Sequence, residues 1–476
     1  MGLPPPWEDE GFFLWPALSI AEANTLFTEH LNPEHPILFM LMGYSVVLGL
    51  LFKILPFSLE MGRWLSFAWM LTAGGLLAWM VRRLPLRSLA WGILAWAALS
   101  RPFVVAGNFV RPEAFCVLLV CVAMAIGPKR PWLALACLGF APLMHPGGLF
   151  FVLAGIGAIV VIRPPNLWVF NRMAALAIGC LGVAWILMII HVWRYLDFFI
   201  QDISYNLSAY PEPLANKVVR LLLDLNITPF FAICAGSLLY WRTRQPERAW
   251  MAALAAALFL PSASRTQMWY TIYTAVGQVV ALCLLIAAIA EWKGEASSLR
   301  RALAIAAACV GLFLIYRDGA LEGPRGYPRD MTWGWGMKTE DAAVPYLAET
   351  DSMTIIHALT PYLNPRQTIR VTFMPKSDAL FFPNPATAGF VGYQPMTTSV
   401  PPDMVIYRES RYIPEWVRTY YTNILFKTAS NRFGNMIYQR DQTERWTLYV
   451  LEKTEVPSKA NEIPSNFPMG SEPSRP

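Results

Sequence analysis

Apolar runs separated by short polar joints dominate residues 62–316. A membrane-crossing helix needs about 17–25 mostly apolar residues, and the pattern predicts about ten spans, several of them short or closely joined. They lie near 62–82, 88–107, 112–127, 131–145, 147–163, 172–193, 218–241, 249–264, 269–291 and 300–316. Two amphipathic pieces precede them. One, about 16–28, begins at Pro16 and carries Glu22 and Asn24 among apolar residues; the other, 36–56, starts at His35-Pro36 and ends at Pro56. The second has the length of a span, but a crossing there would put Arg82, Arg83 and Arg87 outside and reverse every later loop. It is expected to lie half-embedded at the outer face.

From about residue 318 the pattern changes. Short β-rich runs at 353–357, 369–374, 404–407, 435–439 and 446–452 accompany helix-compatible stretches at 341–349 and 411–422, which predicts a small α/β domain. The polar stretch from Pro457 predicts a disordered tail. The fold class is a polytopic α-helical membrane protein in four parts: an outer loop with amphipathic helices (1–60), a transmembrane bundle (61–317), an exoplasmic α/β domain (318–456) and the tail (457–476). No internal repeat is visible.

Composition agrees with the pattern. Hydrophobic residues make up 55% of the chain and charged residues 15%, with a mean hydropathy of +0.40, whereas soluble domains are about a quarter charged. Lys and Arg collect at every second loop: Arg82, Arg83 and Arg87; Lys129 and Arg130; Arg163 and Arg172; Arg242, Arg244 and Arg248; Lys293, Arg300 and Arg301. Those loops are expected to be cytoplasmic, and the loops 1–60, 108–111, 194–217 and 264–268, with everything after Arg317, to face outward. An outward N-terminus with nothing in residues 1–35 to act as a signal sequence leads us to expect one further span ahead of Met1.

The same clusters explain the net charge of +6. No basic, aromatic-interleaved patch of the kind that binds nucleic acid is present. All seven cysteines fall inside apolar spans, so no disulfide framework or zinc spacing is available, and each reads as a small core residue.

Polar motifs recur in a definite order. Trp7-Glu8-Asp9-Glu10 heads an outer loop that has no Lys or Arg before Lys53. There follow His35-Pro36, Arg63 opening a span, Arg111-Pro112-Glu113 at the outer start of another, His145-Pro146-Gly147-Gly148, Arg265 before an aromatic-rich span, and the C-terminal domain. That order resembles the GT-C-fold glycosyltransferases, in the bacterial branch related to protein O-mannosyltransferases and lipid A aminoarabinose transferases. The resemblance covers nearly the whole chain through short motifs.

It implies an integral protein of the bacterial inner or plasma membrane with its active site and C-terminal domain exoplasmic. It also implies a sugar donor carried on a polyprenyl phosphate, an acceptor hydroxyl on a lipid, glycan or protein, and an inverting transfer. The family's base carries over to Asp9 and its second acidic position falls nearest Glu113. The chain departs from the aminoarabinose enzymes where they have basic residues: Phe12 and Phe13 follow the Asp-Glu pair, and His35 stands in place of a Lys. Those departures bear on which sugar is carried.

The residues make a parallel case. Attack on an anomeric carbon by a hydroxyl requires a carboxylate within hydrogen-bond reach; Asp9 is the expected base, with Glu10 or Glu8 as substitutes. The plainer reading is a solvated charge run. A departing lipid phosphate needs cations or fixed dipoles, and Arg111 and Arg265 sit at outward span ends where bidentate phosphate binding competes with simple snorkelling to head groups. Arg101, inside a span before Pro102, is costly there unless it faces a cavity, and Glu113 is its expected partner.

His145 precedes a turn that brings backbone amides close to a ligand, and serves either the donor phosphate or the turn itself. Trp269, Tyr270 and Tyr273 fit an interface belt or a sugar platform, with Tyr270 the substrate-binding candidate. Asp197, Asp202 and Tyr205 in the loop 194–217 fit acceptor contacts and a solvated face equally. No Asp-x-Asp pair stands at an outer loop, and a monophosphate leaving group needs a divalent metal less than a diphosphate does. No cofactor is therefore expected, with a divalent metal the one open possibility.

The chief alternative function is a secondary transporter. Transporters usually show interrupted spans in two related halves with ionisable residues near mid-bilayer, whereas here charge concentrates at outer span ends. A non-catalytic envelope assembly protein is the third class; it would need no acidic outer loop.

Overall fold

The computed structural model describes residues 8–26, 41–57, 59–164, 167, 171–197, 199–200, 203–204, 214–224, 227–264, 270–292 and 297–321, together with five strands between 369 and 452. The chain divides into two compact units, one of Ile37–Trp335 and one of Met1–Pro36 with Gly336–Pro476.

In the smaller unit, α1 spans Glu8–Ala23 with Pro16 inside it. The acidic triplet therefore opens a helix instead of lying in a loop, and the expected amphipathic piece at 16–28 starts eight residues earlier, at Glu8. Carboxylates in a first turn complement the positive end of the helix macrodipole, which favours starting there. Asn24, at φ 55°, ends the helix, its N–H donating to the Ile20 carbonyl at 3.2 Å. Asn tolerates this left-handed geometry better than most side chains.

The same unit holds β1 (Ile369–Met374), β2 (Val391–Tyr393), β3 (Met404–Arg408), β4 (Asn423–Asn431) and β5 (Arg445–Glu452). They form a mixed sheet in the order β2-β1-β3-β5-β4. β1 runs parallel to β2 and β3, while β5 pairs antiparallel with β3 and with β4, the latter with an irregularity between Ile424 and Phe426. The strands expected at 369–374, 404–407 and 446–452 are found. Those expected at 353–357 and 435–439, and the helices expected at 341–349 and 411–422, lie outside the described residues. β2 and β4 fall where no strand was expected.

The larger unit is a helical bundle. Its helices are α2 (Gly43–Phe52), α3 (Leu59–Val81), α4 (Arg87–Ala98), α5 (Arg101–Asn108), α6 (Pro112–Ile126), α7 (Pro131–Met144) and α8 (Gly148–Ile162), followed by α9 (Arg172–Arg194), α10 (Leu214–Leu223), α11 (Thr228–Trp241), α12 (Pro246–Ser264), α13 (Thr271–Glu291) and α14 (Ser297–Leu321). Among the described residues four stretches are long and apolar enough to cross a membrane, Met61–Val81, Pro112–Lys129, Arg172–Arg194 and Thr271–Glu291, or up to six if each of two bent pairs counts as one. α2, α7 and α8 have 10, 14 and 15 residues; at 1.5 Å per residue they rise about 15–22 Å, short of a hydrocarbon core of about 30 Å. The apolar pattern alone thus counted more full-length spans than helix length supports.

Two expected spans are broken. Residues 88–107 become α4 and α5, bent by 53°, with Pro102 in the first turn of α5. Residues 218–241 become α10 and α11, bent by 76°, with Pro229 in the first turn of α11. Proline lacks the N–H that would continue the preceding helix, and hydrophobicity does not report this.

α13 is the central helix, with 78% of its window buried; α4, α5, α6, α11, α12 and α14 pack around it. Close approach uses small residues, as helices in lipid do. A Cβ on Gly277 of α13 would lie 2.9 Å from the Phe259 ring and 3.1 Å from the Ala255 carbonyl of α12. At the other extreme, α9 is only 11% buried and leaves Leu176, Val183, Ile186, Leu187 and Ile190 exposed along its length, as a lipid-facing helix does.

One end of the bundle carries paired charges and tryptophans. Arg248 bonds Glu291 at 2.5 Å and lies 5.1 Å from the Trp241 ring, Trp241 donates to the same carboxylate at 3.4 Å, and Trp250 donates to the Ala123 carbonyl at 2.9 Å. The Lys129–Glu247 pair beside them, at 3.5 Å, is exposed and contributes little to stability.

Candidate active site

The opposite end gathers the N-terminus of α6, the α7–α8 turn and the N-terminus of α13. α6 begins at Pro112, the position where proline's missing N–H costs nothing. Arg111 before it is extended, at φ −143° and ψ 150°, so its side chain can fold back over the first turn. Its Nε donates to Glu113 Oε2 at 3.2 Å and its Nη2 to Oε1 at 3.1 Å. This is the two-pronged guanidinium–carboxylate geometry that gives the stronger class of ion pair. Both residues are buried, Arg111 at 6% and Glu113 at 2% exposure.

The α7–α8 turn supplies the next member. His145 ends α7, its N–H bonded to the Ala141 carbonyl at 2.9 Å and its carbonyl accepting from Gly148 at 2.8 Å. The Gly147 N–H donates to His145 Nδ1 at 3.0 Å. A Cβ at Gly148 would sit 2.2 Å from the Ala141 carbonyl carbon and 2.4 Å from the Pro142 nitrogen, so glycine alone lets the two helices meet backbone to backbone. Nε2 of His145 then lies 4.0 Å from Glu113 Oε1 and 3.3 Å from the Tyr270 hydroxyl.

Tyr270 precedes α13 and is held from α12: Ser262 donates its hydroxyl to the Tyr270 carbonyl at 2.7 Å and accepts from Thr274 at 2.6 Å. The Tyr270 ring meets the imidazole edge-on, with centroids 5.3 Å apart, and stacks on Tyr273 at 6.2 Å. Tyr270 and Tyr273 are both buried. The interface-belt reading of these two residues is therefore corrected: both rings are inside the bundle, where a hydroxyl needs a partner.

A cavity borders this chain of contacts, lined by Pro102, Val105, Ala106, Phe109, Arg111, Glu113 and Ala114. Arg63 is also buried, its guanidinium 5.4 Å from the Phe109 ring centroid. It had been noted only as opening a span, and a basic residue so early in an apolar helix was the available signal.

Four of the expected site residues, Arg111, Glu113, His145 and Tyr270, are thus brought together. Asp9 and Glu10 stand in the first turn of α1 and Arg101 in the first turn of α5, at a helix break and not within a continuous span. Glu113 is paired with Arg111, where Arg101 had been expected. Asp197 is exposed just beyond α9. Arg265, Trp269, Asp202, Tyr205 and His35 lie outside the described residues. Among the described residues no cluster of three or more His, Cys, Asp or Glu could hold a metal ion.

Chemically, the cluster combines a buried guanidinium, a carboxylate with both oxygens engaged, an imidazole and a phenol beside a cavity. That set is suited to orienting an anionic group.

No family model matches the chain, and no curated protein matches it. Among solved structures it is similar to the crystal structure of ArnT from Cupriavidus metallidurans in the apo state, with a TM-score of 0.48, 13% sequence identity and 94% of each chain covered.

Proposed function

We propose that the protein is an inverting glycosyltransferase of the bacterial inner or plasma membrane. It moves a sugar, hexosyl or pentosyl, from a polyprenyl-phosphate donor to a hydroxyl of a lipid, glycan or protein acceptor at the outer face. The observation that carries the reading is the buried Arg111–Glu113 pair, tied to His145 and Tyr270 and bordering a cavity at the bundle end away from the Lys129, Arg248 and Glu291 cluster. By the positive-inside pattern, that end is the outer one.

Each residue then has a role. Asp9 takes the proton of the attacking hydroxyl, with Glu10 beside it as the substitute. Arg111 faces the donor phosphate, joined by Arg265 and Arg101, and stabilises the charge that develops on the leaving group. Both oxygens of Glu113 accept from Arg111, so Glu113 acts by fixing that guanidinium. His145 and Tyr270 brace the carboxylate from the far side. The charged groups stand at helix ends, unlike the mid-bilayer ionisable sites of transporters.

Mass spectrometry of envelope lipids and glycans from cells with and without the gene tests the proposal. It predicts one hexose, pentose or aminosugar missing from a single class of acceptor when the gene is absent. Unchanged envelope sugars would refute it.

A further inference from the structure

The helix α10 is unlike the rest of the bundle. Its sequence, Leu-Ala-Asn-Lys-Val-Val-Arg-Leu-Leu-Leu, sorts sharply at 3.6 residues per turn. Ala215, Val218, Val219, Leu222 and Leu223 fall on one continuous arc, while Asn216, Lys217 and Arg220 fall on the complementary one. The apolar arc is not packed against protein: Leu222 is 60% and Leu223 72% exposed, and Val218 and Val219 are exposed too. α10 packs against α12 and α11, with Lys217 and Leu221 half-buried.

Its direction is the second observation. α10 meets α11 at 76°, and the corner is bonded: Thr228 donates its hydroxyl to the Leu221 carbonyl at 3.0 Å, and the Ile227 and Thr228 N–H groups donate to the Asp224 carbonyl at 3.1 and 2.8 Å. α11 packs against α12 and α13, and α13 is a full-length span. A helix turned through 76° from that axis runs near the plane of the bilayer. An amphipathic helix with basic residues on its polar side and an unpacked apolar arc is the chemistry of a membrane surface.

We propose that α10 lies in the lipid interface. Val218, Val219, Leu222 and Leu223 are immersed at the head-group and acyl boundary, and Lys217 and Arg220 engage the phosphates of the surrounding phospholipids. The partner is the bilayer surface itself, and the bonded corner at Thr228 sets the angle at which the bundle presents α10 to it.

The test uses the full chain in phospholipid vesicles, with its seven cysteines replaced and spin labels placed singly at Asn216, Val218, Val219, Leu222 and Leu223. Collision with oxygen, which concentrates among acyl chains, is compared with collision with an aqueous nickel chelate. Oxygen should dominate at Val218 and Leu222 and the chelate at Asn216, with the ratio following the helical period. High chelate collision at every site would show a helix in water, and low collision of both reagents at Leu222 would show that arc covered by protein; either overturns the proposal. In anionic vesicles the K217E/R220E pair should lower the oxygen-to-chelate ratio at Leu222 by a factor of about five or more, since each basic residue near such a surface is worth about 1 kcal/mol. An unchanged ratio would overturn the phosphate contacts.

Discussion

The backbone N–H of Gly147 donates to Nδ1 of His145 at 3.0 Å, which fixes where the imidazole carries its proton. A ring nitrogen that accepts a hydrogen bond holds no proton, so the proton sits on Nε2, the atom that faces the Tyr270 hydroxyl at 3.3 Å and Glu113 Oε1 at 4.0 Å. His145→Ala removes both contacts and strands the buried Gly147 donor and Glu113 at once, whereas Tyr270→Phe removes one hydroxyl. Thermal unfolding in detergent should rank them in that order, with losses of about 2–3 and about 1 kcal/mol. Equal losses, or a larger one for Tyr270→Phe, would contradict this tautomer.

Glu113 and Arg111 form a closed, buried pair. Truncating one partner leaves an uncompensated buried charge, so Glu113→Ala and Arg111→Ala should each destabilise by about 3–5 kcal/mol. The double replacement Arg111→Met with Glu113→Leu should lose less than either single change. Loss in the double variant equal to the sum of the singles would mean the two residues are not coupled.

Much of this architecture is legible in the sequence, and the failures have physical causes. The apolar runs located the bundle, and Pro112 marked the start of α6 because proline suits the first helical position. The Arg111–Glu113 contact was not visible, since residues two apart on a helix do not face each other; it forms because Arg111 is extended outside the helix. Tyr270 at a span end looked like an interface residue, and only the Ser262 bond from α12 and the imidazole contact draw it inward. Hydropathy ran through the break between α10 and α11 because Leu and Ile flank it on both sides. β4 was missed because Asn, Lys and Ser interrupt its apolar residues, and its neighbour β5 supplies the pairing.

Gly148→Ala should be among the most damaging single-methyl additions in the protein. The new Cβ meets backbone atoms of Ala141 and Pro142, which cannot rotate away, so a loss of about 3 kcal/mol or more is expected, at or beyond the top of the usual overpacking range. Gly157→Ala, where a Cβ meets nothing within 4 Å, should instead stabilise by up to about 1 kcal/mol through helix propensity. Paired melting curves check both signs.

Orientation can be checked independently of chemistry. Single cysteines at Ser58 and Ser399 should react with membrane-impermeant reagents in intact cells whose outer envelope has been permeabilised, since the Lys and Arg clusters hold the alternate loops inside. Reaction at these sites only after the inner membrane is breached would invert the topology, and with it the outer-face site.

The central claim is that the acidic turn at the head of α1 catalyses sugar transfer, and the most direct measurement is envelope glycan mass spectrometry of a gene-deleted strain complemented with wild type, Asp9→Asn, Glu10→Gln or the double variant at matched membrane levels. Wild type should restore the missing sugar, Asp9→Asn should lower transfer by about 10²- to 10⁴-fold, and Glu10→Gln should cost less. Near-normal restoration by the Asp9→Asn, Glu10→Gln double variant would contradict the account.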